Sequence, residues 1–142
     1  VKRMEKGDEE SLLKDVNESL PKLMQAEEVQ KRAAKVGFDW NDVSPAWDKV
    51  LEELEEFKTE LNQTERDTAK LADEFGDVLF ACVNVARLVR IDPELALHGT
   101  ITKFRNRFEF VERSVRESKK SWSEYTLEEL DHFWDQAKKQ GL

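Results

Sequence analysis

The sequence predicts an all-α fold, a bundle of about five helices, and three observations lead there. Only five Gly and three Pro punctuate 142 residues. Charged residues make up 38% and hydrophobic ones 39%, a balance that suits long amphipathic helices better than strands and tight turns. Apolar residues recur at steps of three and four along most of the chain, and no stretch shows the alternation that a half-buried strand needs. A chain of this length has room for one domain with a modest core.

Residues 1–19 are charge-dense and carry Gly7, which predicts a flexible lead-in or interdomain linker with a helical turn at most through Leu12 and Val16. The domain proper is placed at 20–142. Leu20, Leu23, Met24, Ala26, Val29 and Ala33 give the first helix its stripe, with Pro21 tolerated in the first turn, and Gly37 ends it. A loop with two aromatic rings, Phe38 and Trp40, follows. Ser44-Pro45 reads as an N-cap and first helical residue, opening a helix to about Leu61 whose apolar face carries Trp47, Val50, Leu51, Leu54 and Phe57.

Asn62-Gln63-Thr64 breaks the pattern, and Thr64 is the expected cap of a third helix running to about Arg90. Asp92-Pro93 starts a fourth, in which Leu97, Ile101, Phe104, Phe108, Val111 and Val115 form a heptad-like seam. After a loop containing Trp122, the capping box Thr126-x-x-Glu129 opens a last helix through Phe133, Trp134 and Ala137.

Thirty-one acidic residues against 23 basic ones give a net charge of -8, which argues against a nucleic-acid partner. No apolar run approaches the ~18 residues of a membrane span, so no membrane partner is expected. Cys82 is the one cysteine; it rules out an internal disulfide, suits a reducing cytoplasm, and is expected as a buried structural thiol. The sequence opens on Val1 rather than Met, which leaves open whether it is a piece of something larger.

The chemistry concentrates between Leu51 and Asp77, where Glu52-Glu53-x-x-Glu56 and Glu74-x-x-Asp77 flank the break. With Glu52 set at zero on the helical wheel, Glu56 lies near 40° and Glu53 near 100°, whereas Trp47, Leu54, Phe57 and Leu61 fall at roughly 140–220°. Taken alone, such an arc is an ordinary solvated face. Asp77, however, is the only charge from Phe75 to Ala86, in a helix that reads as apolar nearly all round and central in the bundle. A carboxylate there needs a cation or a proton. If the two helices pair antiparallel about residue 64, Glu53 is level with Glu74, and Glu52 lies roughly 3 Å along the axis from the level of Asp77. Convergent carboxylates with hard oxygen donors favour Mg²⁺, with Mn²⁺ as a substitute. A di-iron centre built on Glu-x-x-His is excluded, because neither His98 nor His132 has that spacing to a cluster.

The stretches EELEE and KLADEFGD, with VGFDW at Val36–Trp40, ALHGTITKFRNRF at Ala96–Phe108 and the terminal helix bearing Trp134 and Lys138, resemble the MazG-type nucleoside triphosphate pyrophosphohydrolases. The resemblance runs from about Leu20 to Lys138 and is closest to the C-terminal MazG domain of bacterial two-domain members.

It implies the all-α pyrophosphohydrolase fold, a homodimer, and cleavage of a nucleoside triphosphate between the α and β phosphates to a monophosphate and pyrophosphate. Carried over by position, Glu53, Glu56, Glu74 and Asp77 would be metal ligands, and Glu52 a further ligand or the residue that orients water. Lys49, Lys70, Lys103 and Arg107 would bind phosphate; Trp134 and Lys138 would contact the nucleotide. Phe38 and Trp40 would stack a base or anchor their loop. Ile101 stands where many relatives carry Asn. The alternatives are an inert helical interaction module and a narrower enzyme of dUTP or phosphoribosyl-ATP type.

Overall fold

The computed structural model describes residues 10–142, in which every regular element is helical. The helices are α1 (Lys22–Lys35), α2 (Val43–Leu61), α3 (Thr68–Leu88), α4 (Pro93–Ser118) and α5 (Leu127–Lys139), with a 3₁₀ turn at Trp122–Glu124. The expected all-α architecture of about five helices is what forms. No described helix is long and apolar enough to cross a membrane. The chain divides into two compact units, one through Glu94 and one from Leu95 to Leu142.

Local chemistry explains most of the helix boundaries. After α1, Gly37 takes φ +90°, and its N–H and that of Phe38 donate to the carbonyls of Ala34 and Ala33. This is a Schellman ending, and the left-handed residue at its centre favours Gly. The first three helix starts differ from the expected ones by one to a few residues. Asp42, not Ser44, caps α2, accepting from the Val43 N–H at 2.8 Å. Asp67, not Thr64, caps α3, accepting from the N–H groups of Ala69 and Lys70. Pro21 sits just before α1 rather than inside it. Asp92-Pro93 does open α4, and the Thr126–Glu129 capping box does open α5.

In the first unit, α2 and α3 form the main helical hairpin, and α1 packs on α3. Ala46, Val50, Val78, Ala81 and Val83 are its buried core, with the Phe57 and Phe75 rings 5.3 Å apart across the hairpin. The inward face of α2 is not the centre of its apolar stripe. Ala46, Val50, Glu53 and Phe57 turn inward, while Trp47, Leu51 and Leu54 remain 52%, 45% and 44% exposed. The stripe is wider than one partner helix covers, and α3 takes the edge nearest the acidic arc. α3 is likewise two-faced rather than central: Phe75 and Leu79 are exposed. Cys82 is exposed too, although apolar surroundings push its thiol pKa up; the expectation of a buried thiol is corrected.

Residues 10–20, the described part of the expected lead-in, make turns held to α1 by Arg32, which donates to the Leu12 carbonyl and pairs with Asp15. Residues 1–9 of that lead-in lie outside the described residues. In the second unit the predicted seam of α4 is buried only at Val111 and Val115, which share the core with Ala137. Leu97, Ile101, Phe104 and Phe108 are exposed.

Candidate functional site

The α2–α3 hairpin carries the acidic clusters on facing helices. One ligand oxygen from each of Glu53, Glu56 and Glu74 lies within 4.8 Å of the others. Glu53 is 7% exposed, so the rotation of α2 has carried a carboxylate onto the core face. Both Glu53 Oε2 and Glu74 Oε2 are buried without a hydrogen-bond partner. A buried, unpaired carboxylate oxygen is costly, and two on members of one carboxylate group call for a cation. The donor set is entirely hard oxygen, which suits Mg²⁺ or Mn²⁺ and does not resemble a thiolate or imidazole zinc site. The residues present therefore fit a divalent ion.

The surrounding electrostatics have the same cause. The neighbouring Glu53 carboxylate, then desolvation and the charges of Glu74 and Glu52, raise the Glu56 carboxyl above its ordinary range. Asp77 is exposed and lies outside the three-oxygen group, but desolvation and the charges of Asp73 and Glu53 raise its pKa as well. Lys49 bridges Glu53 at 3.0 Å and Glu52 at 3.3 Å, and those two contacts raise its own pKa. Glu52 is thus an exposed rim residue paired with a cation. Lys70 is exposed on the first turn of α3.

The acidic group borders a cleft of about 660 Å³ whose lining includes Glu53 of that group, with Lys49 and Asp77. The cleft is also lined by Phe38, Trp40 and Phe80, and by Asp39 and Arg87. There Arg87 makes a two-pronged pair with Asp39 at 2.6 and 3.1 Å and also donates to Asn84. That guanidinium holds the Asp39 carboxyl below its usual range. Gln30, Asp39, Asn84 and Arg87 were not singled out from the sequence. The one local signal was Gln30 itself, an amide set at helical spacing among Ala26, Ala33 and Ala34 on the packing face of α1.

The remaining predicted residues belong to the second unit. Arg107 lies over the Trp134 ring, 5.6 Å from its centroid, and its Nε donates to the Leu142 carbonyl at 2.8 Å. Trp134 also packs 5.2 Å from Phe104. Lys103 and Lys138 are exposed one turn from Arg107 and Trp134 respectively. The sequence pairs Lys103 with Arg107 and, separately, Trp134 with Lys138, and the structure brings Arg107 and Trp134 into contact.

Antiparallel helices that gather three carboxylates beside a nucleotide-sized cleft define a helical domain compatible with a divalent cation and a polyanionic ligand. Residues 46–111 match the MazG nucleotide pyrophosphohydrolase domain, so the chain carries a domain of MazG type. It is 44% identical over 132 residues to a nucleoside triphosphate pyrophosphohydrolase of Escherichia coli K12, covering 93% of this chain and 50% of that protein. It is 37% identical over 139 residues to the nucleoside triphosphate pyrophosphohydrolase/pyrophosphatase MazG of Thermotoga maritima, covering 97% of this chain and 52% of that one. A third relative, the uncharacterized protein YabN of Bacillus subtilis, is 46% identical over 139 residues, 97% of this chain and 28% of its own length. The chain thus spans about half the length of the first two relatives.

Proposed function

We propose that the domain at 20–142 hydrolyses nucleoside triphosphates between the α and β phosphates in a Mg²⁺-dependent reaction. Water adds at phosphorus, the bridging P–O bond breaks, and a nucleoside monophosphate and pyrophosphate leave. The observation that carries this reading is the convergence of Glu53, Glu56 and Glu74 within 4.8 Å, with two of their buried oxygens unpartnered. Those three, with Asp77 beside them, would hold the metal, and Mn²⁺ would substitute. Bound there, a divalent ion neutralises phosphate charge and lowers the pKa of its water.

The chain's own residues do the rest. Glu52 orients the attacking water or adds a ligand. Lys49, between Glu52 and Glu53, is placed to exchange a carboxylate partner for a phosphate oxygen. Lys70, Lys103, Arg107 and Lys138 are further phosphate donors, and Trp134 offers a face to the nucleotide. The exposed apolar halves of α2, α3 and α4 support a homodimer. A lone cysteine is consistent with a cytoplasmic setting.

The test is release of pyrophosphate, rather than orthophosphate, from a panel of nucleoside triphosphates with Mg²⁺. Glu56→Ala and Asp77→Ala are each expected to lower kcat/KM at least 100-fold, on the order of what a displaced catalytic group costs. No turnover by the wild type, or unchanged turnover in both variants, would sink the proposal. An inert interaction module would bind neither Mg²⁺ nor nucleotide.

A further inference from the structure

The cleft beyond the carboxylates contains a second unmet demand, on a residue that the proposed reaction does not use. Gln30 is 7% exposed on α1. Its Nε2 donates to the Phe80 carbonyl on α3 at 2.9 Å. That bond fixes which way the amide points, because the opposite orientation would set two oxygens against each other. Gln30 Oε1 is therefore held on the cleft wall, buried and without a partner. A buried acceptor left this way is rare in a folded protein unless something outside the chain meets it.

We propose that Gln30 Oε1 accepts a hydrogen bond from the ring-edge N–H of the nucleobase, which makes this cleft the base pocket and Gln30 a specificity-determining residue. The inference rests on the nucleotide reading given above.

The orientation follows from charge. Lys49, Glu53 and Asp77 line the cleft where it meets the carboxylate group, so the phosphates lie there. Ten residues beyond Asp77 along α3, about 15 Å of rise, Arg87 is already paired with Asp39 and donates to Asn84, and so offers an anion little. Phe38 and Trp40, which flank Asp39 in the chain, and Phe80, between Asp77 and Arg87 on α3, line the cleft with rings that suit the flat face of a base. Asp77 and Phe80 lie one turn apart on α3, about 4.5 Å of rise. Helical side chains lean towards the N-terminus while carbonyls point the other way, which widens the gap between the Asp77 carboxylate and Gln30 to leave room for a ribose.

A single acceptor has a chemical consequence. Adenine and cytosine carry an exocyclic amine, and guanine and uracil a ring N–H, so every common base can satisfy Gln30 by a small shift in the pocket. The Nδ2 donor of Asn84, whose Oδ1 is fixed by Arg87, also lines the cleft and can meet the neighbouring base acceptor. The site would then demand a base with an N–H edge without choosing among bases.

Purine riboside triphosphate tests this, because it differs from ATP only by lacking the amine and so has no N–H on its edge. Calorimetry with Mg²⁺ and the α,β-methylene forms of both nucleotides measures binding without turnover. The wild type is expected to bind the purine riboside form about tenfold more weakly, the factor lost with one hydrogen bond to a buried carbonyl. Gln30→Met is expected to bind the two within about twofold of each other. Equal affinities in the wild type overturn the inference without reference to any variant, and a preference that survives in folded Gln30→Met overturns it too. Discrimination without pyrophosphate release from ATP would sink the hydrolase proposal and leave the base pocket standing.

Discussion

Replacing Glu74 with Gln separates a metal site from an ordinary acidic surface, because metal-free and metal-bound protein respond with opposite sign. Glu74 belongs to the group of three whose ligand oxygens lie within 4.8 Å, and its Oε2 is buried without a partner. In the metal-free protein these charges oppose one another, as the raised Glu56 carboxyl shows. Removing one relieves that repulsion, so metal-free Glu74→Gln should melt no lower than the wild type. A cation present at 100 times its Kd and bound only by the folded state adds about 2.7 kcal/mol. Disturbing even an outer partner of a metal ligand lowers affinity about 10–100-fold. With the larger factor, the same cation concentration adds only about 0.4 kcal/mol to the variant.

Unfolding entropy of about 2.1 cal/mol/K per residue, over 142 residues, converts these to upward shifts of about 9 °C for the wild type and about 1 °C for Glu74→Gln. Calorimetric melts before and after chelation, with Mg²⁺ and with Mn²⁺, measure both. Glu55→Gln is the charge-matched control, being exposed and outside the group, and should keep the full shift. A wild type whose melting ignores both metals, or a Glu74→Gln that shifts as far as Glu55→Gln, would refute the reasoning.

The Asp39–Arg87 pair gives a pH dependence of defined sign. Arg87 lowers the Asp39 pKa, so the pair's contribution, about 1 kcal/mol, is present above the unfolded value near 3.9 and is lost as pH falls through the lower folded one. Melts of wild type and Asp39→Asn should differ most near neutrality and converge below about pH 4; a gap of constant size would contradict this assignment. Self-association is testable at Leu79, 45% exposed on the outer face of α3. Burying its remaining surface would contribute about 1 kcal/mol, and an unpaired carboxylate in its place costs more. Leu79→Asp should therefore weaken a dimer at least about tenfold in sedimentation runs, and a stable wild-type monomer at micromolar concentration would remove the dimer.

Helices and their order were legible because the signals are local: a stripe, a capping box, a Gly after the last turn. Exact starts were less so. Asp42, Ser44, Thr64 and Asp67 are all competent caps within two short segments, and docking of α2 on α3 selects among them. The packing face of α2 was legible only to within half a stripe. Its apolar arc runs past what one neighbour can cover, and nothing local says which half α3 will take.

That choice decides the chemistry. The sequence points to Asp77 as the carboxylate under most strain, because its neighbours along the chain are apolar. Apolar neighbours in one dimension do not make burial in three: the outer face of α3 is open, Asp77 is exposed, and Glu53 is the carboxylate carried inward. The partners in the cleft's long-range polar contacts were not legible, since Gln30 meets Phe80 across 50 residues and Asp39 meets Arg87 across 48. The same docking of α2 therefore leaves unmet demands of different kinds, carboxylate oxygens that call for a cation and an apolar half-stripe that calls for another surface. If they are met together, metal and partner will stabilise one another through the α2–α3 hairpin. Chelation should then loosen the dimer as well as lower the melting temperature, and a self-association constant unmoved by chelation would show the two demands to be independent.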